Sequence, residues 1–552
     1  MNGGEGVRRK RIGNRIENEK TSEGFLSGVL VLSASTVIVK IIGLAYKIPM
    51  IDKLGAAGMG YFNSAYEIYA VLCVMATAGL PVALSMMIAS AKAHDGYGTI
   101  RRIDRSARRL FLWMGLIGSM ILLLFARLIS TAMGNTDAYL CVLAISPSLL
   151  LACYSGAARG YFQGLHRMGP TAVSQLLEAL GKLIFGVWFA AWGVSRELST
   201  PAIAAFGMLG VTAGMALSAG YLFLAKHTHR IGRLVESADK SPILRQLLKI
   251  AIPITMGAVL LSATKVVDMT IMMYRLRSIG MTSYEANEIY GAYTTLAVPV
   301  FSLIPSLITP ISLVLIPKLS ATLAGKDRIG EAAVSEESIR LTVLFSMPAS
   351  FGILVFAKPI LQLLFQGQES AVAMAAPLLS VLGASILFSG MITTTNAILQ
   401  AYRHTVLPVI SMLIGVIVKL ILAYLLVGMP DVGAMGAPIS TFLCNVTITL
   451  VNLYFLRKCV PRRTASKGML HIYGKPMVAS CVSVTIAALI YSILAEDGEG
   501  GAVATMVAVA LAAMSYAILA IMMKIITRED IERLPIGSRI LKKVYLLKER
   551  TE

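Results

Sequence analysis

Four lysines stand deep inside long apolar stretches of the sequence: Lys40, Lys182, Lys265 and Lys419. A charge at the centre of a bilayer costs about 2.5 to 3.5 kcal/mol on insertion scales, so it usually faces a cavity or a partner. With a helical rise of about 1.5 Å per residue, all four lie roughly 18 to 23 Å from one membrane surface. We interpret them as a cationic cavity for an anionic substrate. The alternative is that each lysine pairs with an acid on another helix or snorkels to the interface.

Acidic residues at helical spacing accompany two of these lysines. Glu178 precedes Lys182 by four residues and Asp268 follows Lys265 by three, so each pair shares one helix face and is predicted to form a local ion pair. Lys47, seven residues after Lys40, continues the face of that lysine and joins the predicted cationic cavity. The candidates for ion coupling or ion pairing are Glu67, Glu178 and Asp268; Lys40, Lys419 and Glu67 have no opposite charge at such spacing.

The elements that must position these charges are membrane-spanning helices. Of the 552 residues, 56% are hydrophobic and 14% are charged, whereas soluble proteins carry about 25% charged residues. Runs of about 20 apolar residues predict a membrane protein of about fourteen spans. The predicted spans are 26–46, 61–88, 110–133, 138–158, 170–193, 202–225, 250–274, 289–317, 341–365, 371–400, 406–428, 435–456, 476–495 and 502–524.

Loop charge predicts the orientation of these spans. The loops on the side of the N-terminus hold 39 of the 50 Lys and Arg residues, and the opposite loops hold 7. By the positive-inside rule both termini are cytoplasmic, and the protein is a multi-pass protein of the plasma membrane. The net charge of +20 is then mostly topological, with attraction to membrane lipid as a secondary effect, and no nucleic-acid partner is predicted.

A weak internal repeat predicts two lobes. A shift of 229 residues places Pro81 on Pro310, and a shift of 237 places Lys182 on Lys419. Each half holds six predicted spans, so the repeat is parallel, and the two related prolines are predicted to bend their helices during transport. The predicted organisation is a basic cytoplasmic tail (1–24), an N-lobe (25–226), a cytoplasmic linker (227–249), a C-lobe (250–458), two further spans (476–524) and a basic cytoplasmic tail (525–552).

Sequence motifs of enzymes and metal sites are absent. The sequence has no G-x-x-x-x-G-K-[ST] phosphate loop, and the six cysteines form no CxxC pair or metal-ligand spacing. The histidines all fall in the predicted cytoplasmic loops, and the spans carry no cluster of acids. The expectation is a protein that is not an enzyme and has no catalytic residues, no metal and no cofactor.

Three stretches carry a family resemblance. They are Leu54 to Ser85 (LGAAGMGYFNSAYEIYAVLCVMATAGLPVALS), Ala158 to Glu178 (ARGYFQGLHRMGPTAVSQLLE) and Tyr290 to Ser320 (YGAYTTLAVPVFSLIPSLITPISLVLIPKLS). They resemble the stage V sporulation protein B / YtgP branch of polysaccharide-lipid flippases. That branch belongs to the multidrug/oligosaccharidyl-lipid/polysaccharide exporter superfamily and is related to the MurJ lipid II flippases. The resemblance spans about residues 25 to 525.

The resemblance implies a flippase with two six-helix lobes around a V-shaped cavity. Its substrate would be a polyprenyl-diphosphate-linked saccharide, lipid II or a related peptidoglycan or polysaccharide precursor, moved from the inner to the outer leaflet by alternating access. Cavity cations would hold the headgroup, and spans 13 and 14 would form a groove for the lipid tail. MurJ relatives carry arginine at the place of Lys40 and an Arg-Asp pair at that of Tyr46 and Lys47, and this sequence departs from that pattern. Transport would be driven by membrane potential or an ion gradient, with cell-wall synthesis enzymes as partners.

Two other functions compete with this interpretation. A multidrug or cation antiporter of the same fold needs carboxylates that face its cavity, and only Glu67, Glu178 and Asp268 could serve. A membrane glycosyltransferase would need catalytic carboxylates and usually a large extracytoplasmic loop. The longest predicted outer loop, about 275–288, is too short to form such a domain.

Overall fold

The computed structural model describes residues 4–93, 97–228, 243–306, 308, 319, 328–402, 404, 406–459, 470–495 and 501–525. Within these ranges the chain is helical and contains no β-strand, which confirms the predicted all-α class. The helices are α1 (Gly4–Thr77), α2 (Gly79–Ala93), α3 (Tyr97–Leu124), α4 (Ala126–Ala132), α5 (Tyr139–Gly164), α6 (Gly169–Ser195), α7 (Thr200–Thr228), α8 (Ile243–Ser278), α9 (Ser283–Ala292), α10 (Arg328–Leu364), α11 (Glu369–Ala401), α12 (Val406–Val427), α13 (Gly436–Cys459), α14 (Lys475–Leu494) and α15 (Ala502–Met522).

Twelve candidate spans in the described part of the chain are long and apolar enough to cross a membrane, so the protein is a multi-pass membrane protein. One of them, Ser35–Lys92, has 58 residues and covers two predicted spans. At about 1.5 Å per residue it is too long for a single crossing of a core about 30 Å thick. The backbone departs from helical geometry at Gly55, where φ is 68°. The count of fourteen spans stays a prediction.

A second break in this long segment lies beside Pro81. Helix α1 ends at Thr77 and α2 begins at Gly79. A proline ring clashes with the carbonyl group four residues earlier, which here belongs to Thr77, and this clash accounts for the break. Bending of this helix during transport stays a prediction, and Pro310 lies outside the described residues.

The contacts between helices divide the chain into a first unit, Met1–Thr295, and a second unit, Leu296–Glu552. In the first unit, α6 and α7 cross at glycines. A Cβ atom on Gly214 of α7 would lie 2.6 Å from the carbonyl oxygen of Glu178 and from the amide nitrogen of Lys182. Helix α7 therefore packs directly against the backbone turn of α6 that carries these two charged residues.

Helices α1 and α9 also approach closely in the first unit. A Cβ atom on Gly291 would collide with the carbonyl oxygen of Ala56, and one on Gly60 would collide with the Asn287 carbonyl oxygen. Helix α9 continues into a π-helical turn, Tyr293–Ala297. A π turn changes the backbone hydrogen-bond pattern and often occurs at functional sites.

In the second unit, hydroxyl and amide side chains bond to one another between α10, α11 and α13, and α10 also buries Glu331 and Arg340. The Thr342 and Thr394 hydroxyl groups lie 2.5 Å apart, and the Asn452 side chain donates hydrogen bonds to Thr395 (2.9 Å) and Asn396 (2.8 Å). Helices α14 and α15 pack against α10 through apolar clusters, one of which contains Leu344, Ala479, Tyr516, Ala520 and Ile525.

The division by contacts differs from the predicted lobe boundary at 227–249, because α8 and α9 pack against α1 in the first unit. The two-lobe repeat stays a prediction. Most of the predicted linker (229–242) and nearly all of the predicted C-terminal tail (526–552) lie outside the described residues. Helix α1 begins within the predicted N-terminal tail (1–24).

Candidate functional site

The first unit contains a cavity of about 450 Å³ among α1, α2, α5, α6 and α7. Its wall combines tyrosine rings with amide, guanidinium, carboxylate and ammonium groups. The polar residues of the lining are Tyr66, Tyr69, Thr77, Arg159, Gln163, Gln175, Glu178 and Lys182. Pro81, next to the break between α1 and α2, also lines it.

Lys182 is held in this cavity by aromatic rings. Its Nζ atom lies 4.5 Å from the ring centre of Tyr66, 4.8 Å from that of Tyr46 and 5.9 Å from that of Phe62. The negative faces of aromatic rings attract a cation without neutralising its charge. Lys182, predicted as a substrate-binding cation, therefore keeps its positive charge available at the cavity wall.

Arg159 is the functional candidate that the sequence interpretation missed. Its guanidinium donates to the Glu178 carboxylate (2.7 Å), to Ser174 Oγ (2.9 Å) and to Ser218 Oγ (3.0 Å). The predicted span 138–158 ends just before Arg159, whereas in the structure this residue lies inside α5, which extends to Gly164. The apolar residues Tyr161 and Phe162 after Arg159 were the available sign that the helix continues.

Glu178 forms its ion pair with Arg159 and not with Lys182, the predicted partner. Among the described residues the Glu178 carboxylate is bridged to Arg159, 19 positions earlier in the chain, and not to Lys182 on its own helix. A local pair was expected because residues four apart share a helix face. The packing of α5 against α6 instead brings a guanidinium to this carboxylate, and a guanidinium offers a carboxylate better hydrogen-bond geometry than an ammonium group.

A smaller cavity, of about 310 Å³, shares Tyr66, Arg159, Glu178 and Lys182 with the first. Thr36, Val39 and Gly43 of α1 also line it. Lys40 is exposed on the same turn of α1, directly after Val39. The structure thus places Lys40 beside the smaller cavity but not in its lining.

Lys47 contacts the π-helical turn. Its Nζ atom donates to the carbonyl oxygen of Thr294 at 2.7 Å. Lys47 is half-buried, and in this conformation its ammonium group is hydrogen-bonded to a backbone carbonyl.

Buried amide groups surround this contact and join α1 to α9. Asn63 donates to the hydroxyl groups of Thr294 (2.9 Å) and Thr295 (2.8 Å). Asn135 donates to Asn287 Oδ1 at 2.7 Å, and Asn287 donates to the carbonyl oxygen of Ala57 at 2.6 Å. This network lies at the end of the first unit that the loop charges predict to be extracytoplasmic.

The remaining predicted residues lie apart from the two cavities. Lys265 is exposed on α8 and Asp268 is half-buried, and their local ion pair stays a prediction. Glu67 is half-buried on α1 next to Tyr66. Lys419 is partly buried on α12 in the second unit and lines neither cavity. In the part of the chain that the structure describes, no group of three or more His, Cys, Asp or Glu residues could hold a metal ion.

Sequence comparisons connect the chain with known families. The model of the family described as "Polysaccharide biosynthesis protein" matches residues 25–323, and the MatE model matches residues 253–425. The chain is 27% identical to membrane protein YabM of Bacillus subtilis (strain 168) over 525 residues, which cover 93% of this chain and 96% of YabM. It is 25% identical to stage V sporulation protein B of the same organism over 531 residues, covering 94% and 99% of the two chains. The predicted resemblance to that branch is confirmed.

Lipid II flippase MurJ is a third relative, in sequence and in structure. MurJ of Bacillus subtilis (strain 168) is 24% identical over 460 residues, which cover 79% of this chain and 83% of MurJ. A solved structure of lipid II flippase MurJ in an inward closed conformation superposes with a TM-score of 0.70 at 15% identity, covering 90% of this chain and 99% of that structure. At this identity the structural likeness establishes the fold.

Proposed function

Because the chain belongs to the polysaccharide biosynthesis protein family, we propose that it is a flippase for a polyprenyl-diphosphate-linked saccharide. Lipid II or a related peptidoglycan or polysaccharide precursor is the proposed cargo, moved from the inner to the outer leaflet of the plasma membrane. The observation that carries the proposal is Lys182, a cation inside membrane-spanning helices that faces a cavity and is held by aromatic rings rather than by an acid.

The physical chemistry of the cargo favours such a site. A diphosphate-linked saccharide is a large polar anion, and moving it through hydrocarbon without partners would remove the water that solvates its charge. Fixed cations in a cavity can replace this water, and a lysine supplies a point charge for phosphate. The polyprenyl tail can stay in the bilayer, and we assign it to the apolar face of α14 and α15.

The proposed transport cycle is alternating access, powered by the membrane potential or an ion gradient. The amide network around Asn63 and Asn287 would hold one end shut while the other end admits the headgroup. For the proposed cytoplasmic termini, cysteines introduced at Gly98 and Lys467 should be shielded from an impermeant thiol reagent in intact cells, and one at Asp497 should be labelled. The reverse pattern would contradict this orientation.

The decisive experiment is rescue of cells depleted of their own lipid II flippase. The wild-type gene should restore growth and the accessibility of lipid II at the outer leaflet. The double variant Lys40→Ala/Lys182→Ala should not, although its abundance in the membrane stays near normal. Lys53→Ala is the matched control, because this lysine is exposed and pairs with its neighbour Asp52. Failure of the wild-type gene to rescue would exclude lipid II as the cargo.

The second candidate function is cation antiport, which the Glu178 carboxylate at the cavity wall favours. If Glu178→Gln abolished efflux of a cationic dye while the double lysine variant affected neither dye nor lipid II transport, antiport would replace the flippase proposal. An enzymatic role is not proposed, because the charged residues of the cavity include only one carboxylate.

A further inference from the structure

Glu178 lies between two cations that it could neutralise. Its carboxylate bridges Arg159 at 2.7 Å, while Lys182 lies one helical turn further along α6. All three residues line both cavities of the first unit. The Arg159 side chain is 19% exposed and that of Glu178 is 33% exposed, so the ion pair is accessible from the cavity rather than sealed in the packing between helices.

The guanidinium of Arg159 has supports other than Glu178. Its Nε atom donates to Ser174 Oγ and one terminal nitrogen donates to Ser218 Oγ, and both serines are fully buried. The Ser174 hydroxyl is itself oriented, because it donates to the carbonyl oxygen of Thr171 at 2.7 Å. These two serines would keep Arg159 at the cavity wall if the carboxylate moved away.

We propose that Arg159 is a further headgroup-binding residue and that Glu178 is an internal substitute for the diphosphate when the cavity is empty. This inference rests on the proposed function. An entering diphosphate displaces the carboxylate from the guanidinium, which keeps its hydrogen bonds to Ser174 and Ser218. Carboxylate and phosphate oxygens compete for the same donors, because arginine binds both in the same forked geometry.

The exchange has a consequence for release. A cavity with two uncompensated cations would retain a diphosphate strongly, and a strongly retained headgroup would not leave at the outer leaflet. A carboxylate that competes for Arg159 weakens binding and restores a neutral pair after release. Loss of the carboxylate charge should therefore strengthen binding and slow transport, whereas loss of a purely structural ion pair would weaken binding together with stability.

The probe for binding is geranylgeranyl diphosphate, which carries the diphosphate but no saccharide, with geranylgeraniol as the uncharged comparison. Binding to the full chain in nanodiscs of neutral lipid is measured by calorimetry. Glu178→Gln should bind the diphosphate about tenfold more tightly than wild type, and Arg159→Gln about tenfold more weakly. The double variant should resemble Arg159→Gln, and geranylgeraniol should not distinguish any of them. In cells, Glu178→Gln should slow lipid II transport.

Asp104 provides a matched control. Its carboxylate also lies between two cations, Arg108 at 3.1 Å and Lys226, but it lines neither cavity. Asp104→Asn should leave the affinity for the diphosphate within twofold of wild type. A gain in affinity equal to that of Glu178→Gln would show a general effect of protein charge and would contradict the proposed exchange.

Unchanged or weaker diphosphate binding by folded Glu178→Gln would also overturn the proposal. If that variant does not accumulate, Glu178→Asp, whose shorter side chain loosens the pair, must bind more tightly than wild type. These results are separable from failure of the proposed function. If the wild-type protein binds the diphosphate and transports lipid II but Glu178→Gln shows no gain in affinity, only the proposed exchange is refuted. If the wild-type protein neither binds the diphosphate nor restores transport, both the exchange and the proposed flippase function are refuted.

Discussion

Helices α6 and α12 occupy corresponding positions in the predicted repeat, yet their surroundings differ in charge. The shift of 237 residues that places Lys182 on Lys419 also places Arg159 on Asn396 and Glu178 on Gly415. In the first unit these positions form an ion pair at a cavity wall. In the second unit Asn396 accepts a hydrogen bond from Asn452, and Ile448 of α13 packs over Gly415.

The difference shows how a duplicated helix arrangement can separate binding from support. Hydroxyl and amide groups bond to one another inside the second unit, where the buried charges also have protein partners: Arg340 donates to the carbonyl oxygen of Ile525 and Glu331 accepts from Tyr402. Charged groups in a membrane-spanning region require water, a counter-charge or a ligand, so the first unit keeps a cavity beside them. Of the two corresponding lysines, Lys182 lines both cavities of the first unit and Lys419 lines neither of them.

The strongest test of this contrast concerns the packing that positions the site. Gly214→Ala would place a methyl group 2.6 Å from backbone atoms of Glu178 and Lys182, which cannot move without shifting α6. We expect a loss of stability of about 3 kcal/mol, the upper part of the range for overpacking. Thermal unfolding in detergent measures it. In Gly415→Ala the added methyl group would contact mainly the side chain of Ile448, which can move, so the loss of stability should be smaller. An equal loss of stability would contradict the contrast between the two units.

The second test concerns the neutral network of the second unit. Asn452→Ala would leave the polar partners Thr395 and Asn396 buried with one hydrogen bond fewer, at a cost of about 1 to 3 kcal/mol. The midpoint of thermal unfolding should fall, and lipid II transport should fall only in proportion to protein abundance. A transport defect at normal abundance would mean that the second unit also contributes to binding.

The third test compares the two corresponding lysines. Lys182→Ala should reduce transport per molecule about tenfold, equivalent to about 1.4 kcal/mol, because the cavity loses a cation. Lys182→Arg should retain part of the activity, since the charge and its contacts with the rings survive while the geometry changes. Lys419→Ala should transport within twofold of wild type. Equal defects at both positions would argue for a symmetric role.

The smallest expected effect concerns the rings around Lys182. Tyr66→Leu removes one cation–π contact, worth about 0.5 to 1 kcal/mol, so the apparent affinity for the diphosphate should change by about two- to fivefold. Tyr66→Phe keeps the ring and should bind like wild type. If Tyr66→Phe behaved like Tyr66→Leu, the hydroxyl group rather than the ring would matter at this position.

The sequence by itself determined the membrane class, the all-α fold and the family. Apolar runs of about 20 residues must be helical in a bilayer, because no water is available there for unpaired backbone groups. It also singled out Pro81 within the predicted span 61–88, because the clash of a proline ring with the fourth preceding carbonyl is a local effect. Lys182 was identified for a similar reason, since the cost of a charge in an apolar helix depends on the helix and not on its neighbours.

Only the tertiary structure decided which charges meet. Arg159 reaches Glu178 because α5 packs against α6, and Lys47 reaches Thr294 because α1 packs against α9 and its π-helical turn. Spacing along one helix favoured Lys182 as the partner of Glu178, but spacing describes only neighbours on the same helix. The glycine contacts of α6 with α7 set the distance between helices, and side chains far apart in sequence meet only once that distance is fixed.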